Sequence, residues 1–314
     1  MTGSLTDKPR ILIVGAAGQV GVELQRSFSG FGPIVAADLE STGFDPVDLT
    51  EENQTRALVR RVQPDLILNA AAYTAVDRAE SQPDLAMAIN ATAPRILAEE
   101  ALRLNALLVH YSTDYVFDGQ KQEPWIETDE PNPLSVYGAT KLAGEQAIQK
   151  IGGRYLIFRT SWVYGPHGNN FLLTMLRLAR ERDRLSIVDD QFGSPTTSIE
   201  LARATREISE GVLAGKLGAA QEGAGLYHMT CSDSTTWFGF AKAIFDGAAA
   251  RLNVKPPELT PLATKDYPTP AKRPRNSVLS NRRLADRFGV SLPSWRAALD
   301  DVIQILASAG SVPA

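Results

Sequence analysis

Cysteine and histidine are both scarce in this sequence of 314 residues, which has one cysteine and three histidines. Cys231 has no second cysteine with which to form an internal disulfide. His110, His167 and His228 lie far from one another and from Cys231 along the chain, so they lack the close spacing of metal-binding motifs. The sequence therefore predicts neither a disulfide framework nor a metal site.

Long hydrophobic runs are also missing, since no segment has the roughly 20 apolar residues that a membrane-spanning helix needs. The first ten residues are polar and have no apolar core of the kind found in secretory signals. We therefore expect a cytoplasmic protein that does not associate with membranes.

Charge of one sign is not in excess, because 32 basic residues face 36 acidic ones and the net charge is −4. This balance argues against a nucleic-acid-binding protein, which would carry a basic face. The composition, 44% hydrophobic and 22% charged, is typical of a soluble globular chain. Because single cores stop growing at roughly 250 to 300 residues, the length suits one large α/β domain with a smaller lobe.

The first half of the chain alternates between short apolar runs and helical patterns. The apolar runs are residues 10–15, 33–38, 65–70, 106–112 and 154–160, and the helical patterns are residues 20–28, 51–62, 85–104 and 136–151. Nearly continuous apolar runs of this length are typical of strands buried on both faces. Their regular alternation with helices predicts right-handed βαβ units and an α/β fold with a Rossmann-type, doubly wound parallel sheet.

The regular alternation of strand and helix patterns ends after Thr160, where the connections become longer and contain proline and glycine. Short strand candidates follow at residues 185–190 and 225–230, and a helical pattern closes the chain at residues 294–308. We predict a dinucleotide-binding domain over residues 1–165 and a smaller C-terminal substrate lobe over residues 166–314. Later strands of the lobe are free to return to the first sheet.

The stretch VGAAGQVG places Gly15, Gly18 and Gly21 between the first strand and the first helix. Glycines at this spacing allow the backbone to approach a pyrophosphate, which then lies on the free N–H groups at the helix start. Gln19 and Val20 open that helix and belong to the same predicted contact. The order of strand, turn and helix predicts a dinucleotide site.

The adenosine end of that site has two interpretations. Asp38 closes the second strand about 20 residues past the glycines, where a carboxylate can bind the ribose hydroxyls and would favour NAD. Alternatively, Asp38 only caps its strand while Asp48 and Leu49 flank the adenine. The choice between NADH and NADPH stays open.

Small residues follow the third strand at Ala70, Ala71 and Ala72. Their size would let the backbone pass close to a bound cofactor. The other interpretation is that they only pack a loop.

Tyr137 and Lys141 lie four residues apart and so on one face of a predicted helix. A phenol has an ordinary pKa of about 10, and a neighbouring ammonium favours its ionised form, so the pair suits proton transfer. Thr113 ends the fourth strand, and the carboxyl ends of parallel strands share one edge of the sheet. We therefore expect the Thr113 hydroxyl in the same crevice, where it can hydrogen-bond the substrate oxygen that Tyr137 protonates.

Four stretches carry a resemblance to a known family: STDYVFDG, NPLSVYGATKLAGE, FRTSWVYG and DQFGSPT. Together with the glycine motif they identify the chain, over nearly its whole length, as similar to the extended short-chain dehydrogenase/reductases. The resemblance implies that Thr113, Tyr137 and Lys141 form the catalytic trio and that Lys141 also holds the nicotinamide ribose. The implied reaction is the reduction, by NADPH or NADH, of the C4 ketone of dTDP-4-dehydro-β-L-rhamnose to give dTDP-L-rhamnose.

The same resemblance implies contacts to a sugar nucleotide. It places Thr74 and Val76 beside the sugar and makes Trp162 a wall of the substrate site, although plain core packing is an alternative for Trp162. Arg273 belongs to a basic cluster at residues 271–283 that either clamps the diphosphate or forms an exposed loop. Tyr73 stands where relatives often carry histidine, so its role stays open.

Two alternative functions remain on the same fold. One is another sugar-nucleotide enzyme, an epimerase or a dehydratase, and the other is a non-catalytic NADP-binding regulatory subunit. A 4,6-dehydratase carries an Asp-Glu pair after the threonine, whereas this chain has Asp114 and Tyr115. A pure binding protein would not need the catalytic trio. The expected partner is a dTDP-sugar, and the sequence leaves a homodimer open.

Overall fold

The computed structural model describes residues 8–39, 42–215 and 224–310. The strands are β1 Ile11–Val14, β2 Ile34–Asp38, β3 Asp45–Pro46, β4 Leu66–Asn69, β5 Leu107–Thr113, β6 Tyr155–Thr160, β7 Val163–Tyr164, β8 Arg184–Val188, β9 Phe192–Gly193, β10 Thr196–Thr197, β11 Gly225–His228, β12 Thr235–Thr236 and β13 Glu258–Leu262. The α-helices are α1 Gln19–Ser27, α2 Glu52–Val62, α3 Val76–Ala79, α4 Pro83–Met87, α5 Ala93–Leu104, α6 Val136–Ile151, α7 Phe171–Glu181, α8 Ser198–Leu213, α9 Trp237–Arg251, α10 Arg282–Phe288 and α11 Trp295–Ser308.

Seven parallel strands form the main sheet in the order β11-β6-β5-β4-β1-β2-β3. The chain proceeds from β1 towards one edge and then crosses to β4 and the other edge. A ligand crevice is expected at such a reversal, outside the carboxyl ends of β1 and β4. The predicted doubly wound parallel sheet is confirmed, and its five predicted strands correspond to β1, β2, β4, β5 and β6.

Side chains of alternate strand residues pack into two hydrophobic cores, one on each face of the sheet. Ile11 and Ile13 of β1 belong to the core beneath α1 and α8, whereas Leu12 and Val14 belong to the core beneath α2 and α5. All four side chains are fully buried. Burying one such side chain stabilises the fold by about 1.5 to 3 kcal/mol, which explains why β1 is apolar at every position.

The C-terminal half contributes to the main sheet as well as to the smaller lobe. Strand β11 pairs in parallel with β6, and helix α8 packs against α1, where the Ser27 hydroxyl donates to the Ala202 carbonyl over 3.2 Å. Three two-stranded sheets, β7 with β10, β9 with β12 and β8 with β13, build the remaining lobe. The sequence prediction allowed such a return, and the boundary at residue 165 stays a prediction.

The helix predicted over residues 85–104 is interrupted in the structure. A π-helical turn at Ala88–Thr92 separates α4 from α5. Pro94 has no N–H to donate to the preceding turn, which disfavours a regular helix there. The turn also brings the Asn90 carbonyl close to α6, where a Cβ added to Gly144 would lie only 2.2 Å from it.

Candidate active site

The glycine loop, residues 15–21, connects β1 to the first turn of α1, and its three glycines have different roles. Gly15 has a φ of +79°, and a Cβ there would lie 2.5 Å from the Ala71 nitrogen. A Cβ on Gly21 would lie 2.1 Å from the Gly15 oxygen. These two glycines are therefore required by the close packing of the loop itself.

Gly18 differs because a Cβ there would meet only the Gly15 oxygen, at 3.3 Å. Gly18 precedes the first turn of α1, and no side chain caps that end of the helix. The N–H groups of the first turn are thus available to an anion, which the helix dipole also favours. This cradle, which a side chain at Gly18 would begin to fill, fits a cofactor pyrophosphate.

Gln19 and Val20 follow in the first turn of α1. The Gln19 side chain donates to the Asn169 carbonyl over 3.3 Å and accepts from the Asn170 amide over 2.9 Å. Val20 packs against the hydrophobic core. Gln19 therefore links the glycine loop to the segment before α7, and a role for either residue in cofactor binding stays a prediction.

The Asp38 carboxylate supports the glycine loop. One oxygen accepts from the Ala17 N–H and the other from the Leu39 N–H, both over 2.8 Å. Because a carboxylate oxygen can accept two hydrogen bonds, Asp38 retains capacity for ribose hydroxyls. Both interpretations of Asp38 are therefore compatible with its geometry.

The alternative adenine contacts lie in the turn before α2. The Asp48 carboxylate accepts from both the N–H and the hydroxyl of Thr50, over 2.9 and 2.7 Å. Leu49 packs at the edge of the core beneath α2. Ala70, Ala71 and Ala72 follow β4, and Ala71 makes the closest approach to Gly15.

Helix α6 presents Tyr137 and Lys141 on one face, as predicted from their spacing. The Ser135 hydroxyl accepts from the Gly138 N–H over 3.2 Å, and the Glu80 carboxylate accepts from the Val136 N–H over 2.9 Å. These two caps fix the first turn of the helix, which carries Tyr137.

Thr113 lies at the end of β5 and hydrogen-bonds to the Tyr137 phenol. The structure thus brings together the two residues that the sequence placed at one sheet edge. Desolvation in the crevice raises the pKa of Tyr137 to about 12, although the Thr113 hydrogen bond opposes this. The phenol therefore holds its proton at neutral pH.

Lys141 is fully buried beneath Tyr137. Its Nζ donates to the Tyr111 carbonyl over 2.6 Å and lies 3.3 Å from Nε2 of His110. Burial lowers the pKa of Lys141 to about 8, and the negative charge of Glu145 opposes this shift. A lysine of this kind changes its charge near neutral pH.

Asp114 follows Thr113 and is also buried. The Thr113 hydroxyl donates to its Oδ1 over 2.9 Å. Burial raises the pKa of Asp114 to about 6, against the hydrogen bonds from Ser277 and Thr113. The Thr113 hydroxyl therefore connects a buried carboxyl group to the phenol.

The residues predicted to contact the sugar nucleotide lie on two facing segments. Thr74 is exposed on the loop after β4, and Val76 begins α3. Arg273 approaches the same segment from the C-terminal half, since its guanidinium forms an ion pair with Asp77 over 2.8 Å. The Ala271 N–H donates to the same carboxylate over 3.2 Å.

Trp162 lies beyond β6 with a φ of +48°, a backbone conformation that is rare for a bulky residue. Its ring stacks on Trp237 with 3.6 Å between centroids and an interplanar angle of 7°. A Cβ on Gly193 would lie 2.4 Å from the Trp162 ring, so only glycine fits there. The ring is partly exposed, which leaves room for a role as a substrate wall.

Comparison with known proteins identifies the family. The family model described as RmlD substrate binding domain matches residues 9–308. The dTDP-4-dehydrorhamnose reductase of Escherichia coli strain K12 is 44% identical over 297 residues, which cover 94% of this chain and 97% of that protein. The chain belongs to this reductase family. The enzyme of the same name from Salmonella typhimurium is 47% identical over 286 residues, covering 91% of this chain and 94% of that protein.

Solved structures of the reductase family have the same fold. The dTDP-4-dehydrorhamnose reductase of Clostridium acetobutylicum aligns with a TM-score of 0.85 at 38% identity, covering 94% of this chain and 99% of that one. The Bacillus anthracis enzyme, solved in complex with NADP, aligns with a TM-score of 0.83 at 36% identity, covering 95% and 99%. The resemblance stated from the motifs is confirmed.

Sequence reasoning about this reductase missed several residues that the structure places at the crevice. Asp77 forms an ion pair with Arg273, Trp237 stacks on Trp162, and Glu80 caps the first turn of α6. His110 and Asn69 lie directly behind Lys141. The sequence did hint at His110 and Asn69, because a polar side chain inside an otherwise apolar strand needs a hydrogen-bond partner.

Asn90 and Tyr73, whose role the sequence left open, both have hydrogen-bond partners in the structure. The Asn90 side chain accepts from the Tyr73 N–H over 2.8 Å and donates to the Thr140 hydroxyl over 3.1 Å, so it ties the loop after β4 to α6. The Tyr73 hydroxyl donates to Gln82 over 2.6 Å. Within the described ranges, no cluster of three histidine, cysteine or acidic side chains could hold a metal ion, and no helix is long and apolar enough to cross a membrane.

Proposed function

We propose that this protein reduces the C4 ketone of dTDP-4-dehydro-β-L-rhamnose to give dTDP-L-rhamnose, with NADPH or NADH as the reductant. The observation that supports this most is the placement of Thr113, Tyr137 and Lys141 at the sheet edge that also carries the glycine loop. Membership of the dTDP-4-dehydrorhamnose reductase family supplies the substrate class.

Ketone reduction needs a hydride at carbon and a proton at oxygen. When bound, the reduced nicotinamide supplies the hydride. Tyr137 supplies the proton, because its raised pKa keeps the phenol protonated at neutral pH. Lys141 in its ammonium form stabilises the phenolate that remains, which offsets part of the cost of ionising a phenol in the crevice.

Thr113 orients the reacting oxygen. In the free protein its hydroxyl donates to Asp114 and bonds to Tyr137. A substrate carbonyl oxygen placed between Thr113 and Tyr137 would replace both contacts, because the single Thr113 O–H must turn from Asp114 to donate to that oxygen while the Tyr137 O–H donates to it as well. Two donors aimed at the oxygen stabilise the negative charge that develops on it.

The remaining predicted contacts divide between cofactor and sugar nucleotide. The cofactor would lie on the glycine loop and the small residues after β4, with Asp38 or the pair Asp48 and Leu49 at the adenosine end. Thr74, Val76 and Trp162 would surround the sugar. Arg273 would bind the diphosphate. The diphosphate would then compete with Asp77 for the guanidinium, which forms paired hydrogen bonds with either group. A homodimer and a cytoplasmic location stay predictions.

A dehydratase is less well equipped by this site. Its chemistry needs a base for the C5 proton next to the acid. Here Tyr115 follows Asp114, and burial raises the pKa of Tyr115 above its ordinary value, so the phenol is a poor base. The Tyr115 ring packs edge-on against Tyr137 with centroids 5.6 Å apart. A non-catalytic subunit is disfavoured because a pure binding protein needs no buried lysine behind a proton donor.

Isotope transfer tests the proposal. Wild-type protein is incubated with dTDP-4-dehydrorhamnose and NADPH or NADH deuterated at nicotinamide C4, and the product is examined by mass spectrometry and NMR. We expect one deuterium at sugar C4 and oxidation of one cofactor per product. A parallel incubation with dTDP-glucose and NAD⁺ should yield no 4-keto sugar. Formation of that sugar, or failure to consume either reduced cofactor, would contradict the proposal.

A further inference from the structure

His110 is a fully buried histidine in the middle of β5, and the proposed proton transfer does not use it. It stands beside Asn69 of β4, and the two side chains approach to 3.0 Å between His110 Nδ1 and Asn69 Nδ2. On the other side, His110 Nε2 lies 3.3 Å from Lys141 Nζ. The imidazole therefore bridges a cofactor-side strand and the catalytic lysine.

A backbone N–H sets the direction of the hydrogen bonds that link Asn69, His110 and Lys141. The Ala71 N–H donates to Asn69 Oδ1 over 3.3 Å, and a backbone N–H can only donate. With its oxygen turned to Ala71, the Asn69 amide presents its N–H₂ group to His110. His110 Nδ1 must then accept, so the proton of a neutral imidazole is on Nε2.

The ring at this position is neutral. Burial lowers the pKa of His110 well below its ordinary value, and the charge of Lys141 lowers it further. The Nε2–H group consequently points at Lys141 Nζ. An ammonium has three donors and no acceptor, so only the neutral amine of lysine can accept this hydrogen bond. The amine at the same time donates to the Tyr111 carbonyl.

We propose that His110 is a positioning residue that holds the Lys141 amine through Nε2–H and favours its uncharged form in the protein without cofactor. The consequence for catalysis rests on the proposed reductase function, because that reaction needs Lys141 as an ammonium.

Other titratable groups face Lys141 from the elements around it. Tyr137 and Glu145 lie one turn away on either side along α6, and Asp114 follows β5. Arg159 on β6 balances the charge of Glu145 through two hydrogen bonds of 2.9 and 2.6 Å. The described contacts to Nζ itself are from His110 and the Tyr111 carbonyl.

The tautomer can be read directly, because the chain has only three histidines. His228 provides an internal comparison: its Nδ1 lies 3.1 Å from the Trp125 carbonyl, which can only accept, so its proton must be on Nδ1. His167 is partly exposed. Long-range ¹H–¹⁵N spectra of ¹⁵N-histidine protein without cofactor, assigned with His110→Gln or His228→Gln, should show His110 as the Nε2–H tautomer and His228 as the Nδ1–H tautomer at about pH 9, above the pKa of Lys141. An Nδ1–H or cationic His110 would overturn the proposal.

A kinetic measurement tests the effect on Lys141. The kcat/KM for NADPH reports groups of the free enzyme and should fall as the pH rises through the pKa of Lys141. His110→Leu removes the donor that favours the neutral amine, so this falling limb should move to higher pH by about half a unit or more. His228→Leu is the matched control, since it removes an equally buried histidine without touching Lys141, and its limb should not move.

The outcomes separate this proposal from the proposed function. An unchanged limb in folded His110→Leu, or an equal shift in His228→Leu, would contradict the role of His110. If His110→Leu does not fold, the tautomer of the wild-type protein decides alone. If the wild-type protein does not reduce dTDP-4-dehydrorhamnose, the proposed function fails, while the tautomer measurement still tests His110.

Discussion

Two buried polar clusters lie one helical turn apart along α6, and they differ in how their charge is balanced. The first, here called the lysine cluster, consists of Asn69, His110 and Lys141. The second, the arginine cluster, consists of Ser112, Glu145 and Arg159. Both span from α6 to the central strands, and all six residues are at least 96% buried.

The arginine cluster pairs opposite charges. Glu145 accepts two hydrogen bonds from the Arg159 guanidinium and one from the Ser112 hydroxyl. The lysine cluster has a single ionisable amine that meets a neutral imidazole and a carbonyl, and burial lowers the pKa of that amine to about 8. A balanced buried pair fixes structure, whereas an unbalanced buried group is available to change its charge during a reaction.

The largest effect should follow from replacing the unbalanced charge. Lys141→Met should lower kcat by about 10² to 10⁴, because Tyr137 loses the cation that stabilises its phenolate. The free energy of unfolding should stay close to that of the wild type, since no buried partner charge is left behind. Steady-state kinetics and urea denaturation measure the two quantities. A Lys141→Met variant that unfolds readily would assign the lysine cluster a structural role instead.

The opposite pattern is expected in the arginine cluster. Arg159→Met leaves the Glu145 carboxylate buried without its partner and should reduce the free energy of unfolding by about 3 to 5 kcal/mol. The double variant Arg159→Met, Glu145→Leu should recover much of this loss, because neither charge remains. Urea denaturation provides the measurement. Equal losses in the single and double variants would show that packing, rather than charge balance, dominates here.

Asp114 offers a pH-dependent test of an unbalanced group. Burial raises its folded pKa to about 6 from an ordinary value of 3.8, so the folded protein binds more protons than the unfolded chain between these values. The contribution of Asp114 to stability should therefore fall as the pH rises from about 4 to 6, by about 2 to 3 kcal/mol in all. Urea denaturation across this range measures it. In Asp114→Asn this component should be absent, and an unchanged pH dependence would contradict the shifted pKa.

The smallest effect is expected for the ion pair between Asp77 and Arg273, which is partly exposed. Asp77→Asn should change the free energy of unfolding by about 1 kcal/mol or less, because water screens such pairs. If Arg273 binds the diphosphate, freeing it from Asp77 should lower the KM for the sugar nucleotide. Arg273→Met should raise that KM while leaving cofactor affinity unchanged. Equal KM values in both variants would remove Arg273 from the substrate site.

The sequence predicted those parts of the molecule that depend on local pattern. Apolar runs and helical periodicity located the five central strands, and the bounds of α6 match the predicted residues 136–151. The spacing of Tyr137 and Lys141 placed both on one face, and the shared sheet edge placed Thr113 beside Tyr137. These features follow from periods of two and 3.6 residues and from the rules of parallel sheets.

Contacts between segments that are distant in the sequence could not be predicted from hydrophobic periodicity or motif spacing. Asn69 and His110 are 41 residues apart and meet because β4 and β5 are adjacent in the sheet with these two positions in register. Asp77 and Arg273 are 196 residues apart, and their contact depends on how the C-terminal half folds back. Strand register and long-range packing decide both contacts. The break in the helix at residues 88–92 combines a local cause, Pro94, with the close approach of α6 to the Asn90 carbonyl.

The most direct test of the proposed chemistry is the turnover of Tyr137→Phe with dTDP-4-dehydrorhamnose and NADPH, measured beside its cofactor affinity. Removal of the phenol oxygen takes away the proton donor but leaves the glycine loop and Lys141 in place. We predict that kcat falls by about 10² to 10⁴ while the Kd for NADPH changes by less than about threefold. A folded variant that binds NADPH normally and turns over at close to the wild-type rate would contradict the assignment of Tyr137 as the proton donor.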